Sequence, residues 1–236
     1  MRRHAFVAAL LAVATAAGTQ LPTGTANAAK SSLNVTSIRV HNLIVVGGSC
    51  RNIDITARHN GPTHNDFDMD LDIDVWRGRK YVGSAYVYDD RPGRVVGDYF
   101  WCPFLDGLGK FRAGPSEVDW YNWGRRYSSG SFRDGTRDSF WVKQGSRTKV
   151  FVDRTRHRVT FTPRAQYYSV NRSRWRSWEG HRVVIERRLA TGQWKRVART
   201  RAGHATTVFS PKRHAWRAVT LASSNTARSR SGVERI

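Results

Sequence analysis

The chain is short of several things that would have pointed to a specific chemistry. No nucleophile elbow, zinc-type histidine pair, phosphate-binding glycine loop or paired glutamate acid occurs in it, so acyl transfer, zinc hydrolysis, nucleotide chemistry and glycoside cleavage have no visible carrier. His41, His59, His64, His157, His181, His204 and His214 are scattered without ligand spacing. No window of sustained 3.6-residue apolar periodicity is long enough for a major helix. No later segment approaches the ~20 apolar residues of a membrane span. Acid is scarce in the last third, where only Glu179, Glu186 and Glu234 occur after Asp153. Cysteine is limited to Cys50 and Cys102.

What is present begins with an export pattern. Arg2 and Arg3 precede an apolar run from Ala5 to Ala17, a polar stretch with Pro22 and Gly24 follows, and Ala26-Asn27-Ala28 closes it with a small-x-small cleavage pattern. The apolar run, about 13 residues, is too short to span a bilayer. Residues 1–28 therefore read as a signal peptide, and the mature protein is expected outside the cell, free or held on the cell wall. An oxidising compartment makes pairing of Cys50 with Cys102 the natural reading. A bridge closing about 50 residues restricts the unfolded chain by roughly 4 kcal/mol in the loop-entropy model.

Hydrophobic residues make up 39% and aromatics 11%, enough for a packed core. They fall in period-two runs separated by turns: Leu33–Val40, Asn52–Arg58, Phe67–Trp76, Lys80–Tyr88, Val95–Trp101 and onward to Ala215–Ala222. The expected fold is all-β, two antiparallel β-sandwiches in tandem. The boundary is placed near residue 153, dividing 29–152, with the disulfide, from 153–236. A shift in charge balance and a restart of the strand pattern prompt that division. Residues 29–154 hold 19 Lys and Arg against 15 Asp and Glu, whereas 155–236 hold 19 against three. The formal +22 of the whole chain becomes +20 once Arg2 and Arg3 leave with the signal.

Three stretches of the second half carry a resemblance: Trp175 through Arg188, Gly192-Gln193-Trp194-Lys195-Arg196-Val197, and Ala215-Trp216-Arg217-Ala218-Val219. Over about 80 residues they resemble an immunoglobulin-like module that recurs in secreted proteins of high-GC Gram-positive bacteria. Ile185 stands where the module has leucine, and Trp216 where it has another aromatic. The resemblance implies a β-sandwich that serves as spacer or binding unit and carries no shared catalytic residues.

Three candidate sites follow. The clusters Arg172, Arg174, Arg176; Arg187, Arg188; Lys195, Arg196; Arg199, Arg201; and Lys212, Arg213 form a cationic field that would attract anionic cell-wall polymer or another extracellular polyanion. If 186–188 and 195–199 form a hairpin, several of these cations share one surface. The row Asp66, Asp68, Asp70, Asp72, Asp74 puts five carboxylates on one strand face. Asp68, Asp70 and Asp72 are candidate calcium ligands, but i and i+2 positions lie roughly 6.5–7 Å apart on a strand, and neighbouring Arg or Lys are the simpler counter-charge. Finally, Trp123 and Tyr127 in Trp120–Tyr127 are candidate stacking residues beside Arg125 and Arg126, with Trp120 assigned to the core. The sequence thus predicts a non-enzymatic, cofactor-free binding protein acting through its basic second half. A carbohydrate- or calcium-dependent module in the first half is the alternative.

Overall fold

The computed structural model describes residues 33–236 apart from 63 and 92; the expected signal, residues 1–28, lies outside the described residues. The first nine strands are β1 (Val35–Val40), β2 (Leu43–Val45), β3 (Arg51–His59), β4 (Phe67–Arg77), β5 (Lys80–Arg91), β6 (Arg94–Trp101), β7 (Gly109–Asn122), β8 (Ser128–Asp134) and β9 (Asp138–Gln144). Period-two patterning explains β4 directly: Met69, Leu71, Ile73 and Val75 are fully buried while the Asp residues between them face outward. Each such side chain contributes about 1.5–3 kcal/mol by leaving water. A two-residue turn, Gly78-Arg79, returns the chain from Arg77 to its partner Lys80, and Gly78 takes the positive φ of 61° that such a hairpin requires.

These strands form one hydrogen-bonded sheet in the order β1-β3-β6-β5-β4-β7-β9-β2, with β8 also on β7. The sheet closes on itself because β1 and β2 are separated only by His41 and Asn42: β1 runs antiparallel to β3 at one end of the order, β2 parallel to β9 at the other. Side chains complete the seam. Val35 N donates to Asp134 Oδ2 at 3.1 Å, Val40 N to Asp138 Oδ2 at 2.8 Å, and Trp141 N to Asn42 Oδ1 at 2.6 Å. Backbone donors that a free edge would leave unpaired are thereby satisfied. On the far edge of β7 the pairing passes from β9 to β8 at Gly114, whose φ is 92° and where a Cβ would run into the Thr136 carbonyl. The expected bridge is present: Cys50 and Cys102 join the paired ends of β3 and β6, beside the fully buried Trp101.

The second half comprises β10 (Ser146–Thr155), β11 (Arg158–Ser169), a single 3-10 turn (Val170–Arg172), β12 (Arg174–Ser177), β13 (Arg182–Arg188), β14 (Trp194–Arg201), β15 (Thr206–Phe209), β16 (Ala215–Thr220), β17 (Ser229–Arg230) and β18 (Glu234–Arg235). One sheet holds β10, β11, β12 and β15; the other runs β14-β13-β16, with β17 and β18 both on β16. The chain changes sheet between β12 and β13, β14 and β15, and β15 and β16, which is the Greek-key connectivity of immunoglobulin-like sandwiches. Val159, Phe161, Val183, Ile185, Trp216 and Ala218 fill the space between the sheets.

The all-β expectation therefore holds, and the second half is the expected immunoglobulin-like sandwich. The first half needs correction, since one continuous sheet with a parallel pair closes on itself in place of the expected two-sheet antiparallel sandwich. The division at residue 153 needs correction. Strands change sheet system between Gln144 and Ser146, and 152/153 falls inside β10. Charge balance marked that boundary, and charge is a property of the surface, not of strand pairing.

The described residues form one compact unit with two apolar cores. Tyr168 and Val170, from the second half, belong to the first core. At the crossing, Gln144 N donates to Asn225 O, Ala227 N to Gln144 O, and Gly145 N to Val45 O at 2.7–2.9 Å. Lys143 Nζ donates to Ser223 O at 2.8 Å and Ser146 Oγ to Ala227 O at 2.6 Å. Thr226 and Ala227, in the Ser/Arg-rich tail, are buried.

Candidate polyanion-binding surface

Register decides which cations share a face. Antiparallel pairs directly opposite each other project to the same side. In the β13–β14 hairpin the pairs are Arg182 with Arg201, Val184 with Arg199, Glu186 with Arg196 and Arg188 with Trp194. All alternate with the core residues Val183 and Ile185, so all lie on the other face of the sheet, where Val184 and Glu186 are buried and Arg182, Arg188, Arg196, Arg199 and Arg201 are exposed. From the other neighbour, β16 places Arg217 opposite Glu186 and Val219 opposite Val184, and β17 adds Arg230 opposite Val219. Arginines therefore surround the buried Val184, Val219 and Glu186 on the outer face of this sheet.

One acid stands in it. Glu186 is 7% exposed, and its carboxylate accepts from Arg217 Nε at 2.8 Å, from Arg217 Nη2 at 2.7 Å and from Arg228 Nη2 at 3.5 Å. The Arg217 guanidinium also lies 4.1 Å from the centre of the Trp194 ring. Among the described residues, no other cation of the second half is in an ion pair. Burial, and then the positive charges of Arg187, Arg154 and Lys212, hold His214 below the usual histidine range.

The predicted polyanion residues divide accordingly. Arg188, Arg196, Arg199 and Arg201 stand on this face. Arg187 and Lys195 form a pair on the opposite side of the same hairpin, because a bulge at Ile185/Glu186 shifts the alternation of β14 by one. Arg172, Arg174 and Arg176 sit in the 3-10 turn and β12, on the other sheet. Arg182, Arg217 and Arg230 were missed. Arg182 shares its parity with Glu186 and Arg188, a signal already in the sequence; the other two needed the pairing of β16 and β17.

The Asp row overturns its expected surroundings. Asp70 lies opposite Asp119 and Asp72 opposite Glu117 on β7, while Tyr86 and Ser84 flank Asp72 and Asp74 on β5. Arg133 alone among the described cations reaches the row, 3.2 Å from Asp74 and 3.6 Å from Glu117. β4 lies beside carboxylates and phenols instead of Lys and Arg, since its hairpin partner β5 brings Tyr86 and Ser84 and the distant strand β7 brings Glu117, Asp119 and Tyr121. The Asp70 carboxylate accepts the Tyr86 hydroxyl, and this bond, then burial and the nearby negative charge, push the Tyr86 phenol up to about 12. Asp68, Asp70 and Asp72 string along one strand, and no group of three or more His, Cys, Asp or Glu among the described residues is arranged to hold a metal ion.

Beside the row the surface is aromatic. Tyr86, Tyr88, Trp123 and Tyr127 are each more than half exposed. Tyr86 and Tyr88 have centroids 6.4 Å apart, Trp123 and Tyr127 5.1 Å, and Tyr121 stacks on Trp123 at 6.0 Å. Trp123 Nε1 donates to Asp68 Oδ2 at 3.1 Å, which ties the β7–β8 turn to the Asp row. Trp120 packs against the first core, as expected, and Arg125 and Arg126 are exposed in the turn.

The fold and these surfaces define an all-β protein in which a closed sheet bearing an aromatic–carboxylate face is followed by an immunoglobulin-like sandwich bearing an arginine face. No protein-family model matches the chain, and no curated protein does. Among solved structures, it is similar to titin domains A168–A170, with 16% identity over 86% of this chain and 66% of that one and a TM-score of 0.27. It is also similar to the apo structure of β-glucuronidase 3 from Bacteroides uniformis, with 9% identity over 86% of this chain and a TM-score of 0.21. The chain spans just under two thirds of the titin fragment and about a quarter, 24%, of the glucuronidase. Likenesses at these scores carry no functional argument. No helix among the described residues is long and apolar enough to cross a membrane.

Proposed function

We propose that this is an exported, non-enzymatic protein that binds anionic cell-surface polymers on the arginine face of its second sandwich. The observation that carries this reading is the shared outward register of Arg182, Arg188, Arg196, Arg199 and Arg201 around a single acid, Glu186. Like charges so arranged repel one another, and a phosphate-bearing chain relieves that repulsion. Guanidinium groups suit the task because their planar fork meets phosphate or carboxylate with two parallel hydrogen bonds. On a Gram-positive exterior, the setting implied by the resemblance, wall teichoic phosphates are the nearest polymer of this kind.

Retention on immobilised polyphosphate should fall steeply with salt as counterions are released. Arg196→Gln with Arg199→Gln should lower the salt slope by roughly 0.7–1 per arginine removed. Binding that ignores salt, or no retention at low salt, would remove the reading.

The exposed rings Tyr86, Tyr88, Trp123 and Tyr127 beside carboxylates favour a second reading, a carbohydrate-binding face on the first half. Under it a neutral oligosaccharide perturbs tryptophan fluorescence, and Trp123→Ala abolishes the response while the two arginine substitutions leave it intact. A response that survives Trp123→Ala excludes this face.

A further inference from the structure

The other sheet of the second sandwich contains a notch with its own cause. Along one edge of β11, Arg158–Phe161 pair with β15 and Gln166–Ser169 pair with β12, which leaves residues 162–165 without a partner strand. Pro163 stands there, and proline has no N–H to give a ladder. Two loops close the edge instead: Gly203 N donates to Pro163 O at 2.8 Å and Trp178 N to Ala165 O at 2.9 Å. Because loops replace a strand at this point, a groove of about 710 Å³ opens, with Ala165 and Thr162 among its lining and the 177–179 and 202–204 segments along its sides. That volume lies in the range of sites for small molecules.

The groove is cationic. Lys149 and Arg164 are cross-strand partners on β10 and β11, and like charges directly opposite each other destabilise a sheet. Arg147 lies two pairs along, on the same face, opposite Gln166, whose Oε1 accepts from Arg147 Nε at 2.6 Å. The single acid on the lining, Glu179, accepts from Ser177 Oγ at 3.4 Å and is in no ion pair among the described residues. The Arg164 guanidinium sits 5.0 Å from the centre of the Phe151 ring, and that ring is 53% exposed. Three cations, an exposed ring and side-chain hydroxyls thus meet in one concave place.

We propose that this notch is a small-ligand site for one saccharide unit bearing an oxyanion, either carboxylate or phosphate. The cations take the oxyanion, Phe151 takes an apolar ring face, and Thr162, Gln166 and Ser177 take hydroxyls. The site lies on the opposite sheet from the arginine face and does not rest on it.

The test is calorimetric titration of the full chain at low salt with four probes: glucose 6-phosphate, galacturonate, inorganic phosphate and glucose. At least one of the two anionic sugars is expected to bind, about tenfold or more above glucose and above inorganic phosphate. The pair of anionic sugars distinguishes phosphate from carboxylate as the preferred group. Lys149→Gln and Arg164→Gln should each weaken binding by about tenfold. Phe151→Ala should erase the preference over inorganic phosphate without altering charge, and Arg196→Gln with Arg199→Gln should change nothing. Near-ultraviolet circular dichroism confirms that each variant is folded. Several results would overturn the proposal: no heat with either anionic sugar, glucose or inorganic phosphate binding equally well, or affinity untouched by Lys149→Gln and Arg164→Gln. Loss of polyphosphate retention alone, with sugar binding intact, would count against the arginine face and leave this site standing.

Discussion

Glu186→Gln is expected to lower the free energy of unfolding by about 3 kcal/mol and, in the same variant, to tighten binding to polyphosphate at low salt. The Glu186 side chain is 9% exposed and that of Arg217 15%, so the pair is shielded from bulk water. Removing one member of such a pair leaves a poorly hydrated charge without its partner, which is far more destabilising than removing both. Here the orphan is also ringed by Arg196 on one neighbouring strand and Arg228 near the tail. The amide of glutamine can accept one hydrogen bond from Arg217 but supplies no negative charge. Unfolding in urea at low and high salt checks the effect, since added salt should recover part of the loss by screening the surrounding arginines. A urea midpoint unchanged by the substitution would show that Glu186 does not hold the face together. Stability and polymer affinity moving in opposite directions is the signature to look for, because the acid that steadies the sheet is also the acid that weakens its pull on polyanions.

Replacing Cys50 and Cys102 together with alanine should lower stability by a similar amount, about 4 kcal/mol in the loop-entropy model. The two are 52 residues apart, and the bridge closes a loop that includes β3, β4, β5 and β6, half of the first sheet. Its benefit lies in the unfolded chain, which is denied a large share of its conformations. Folded-state spectra should therefore change little while the urea midpoint falls. Comparing oxidised and reduced wild-type protein gives the same measurement without mutation, and equal midpoints in the two states would defeat the prediction.

Strand parity was legible wherever one face is core. Phe67 through Val75 could be assigned inward and outward from the letters alone, because burial of an apolar row leaves a period of two in the chain. The cysteine pair and the 186–188/195–199 hairpin could be read for similar reasons of compartment and spacing. Other features depend on who lies beside whom. The Asp row meets Asp119 and Glu117 because β7, some 45 positions later, docks alongside β4; nothing local announces that neighbour. Lys195 and Arg196 exchange faces through one bulge, and a bulge displaces a single residue without a distinctive sequence mark. The notch on β11 arises because two short strands share one edge and leave a gap between them. Pro163 hinted at an interrupted ladder, but only the tertiary arrangement brings Arg147, Lys149 and Arg164 to its rim.

Tandem sandwiches commonly bend at the few residues between them. In this chain those residues are clasped by the C-terminal segment, which comes back to bond Gln144 and Ser146 from both directions. The tail thus supplies bonds that a linker of two sheet systems would otherwise leave to water, and it makes the crossing part of one compact unit.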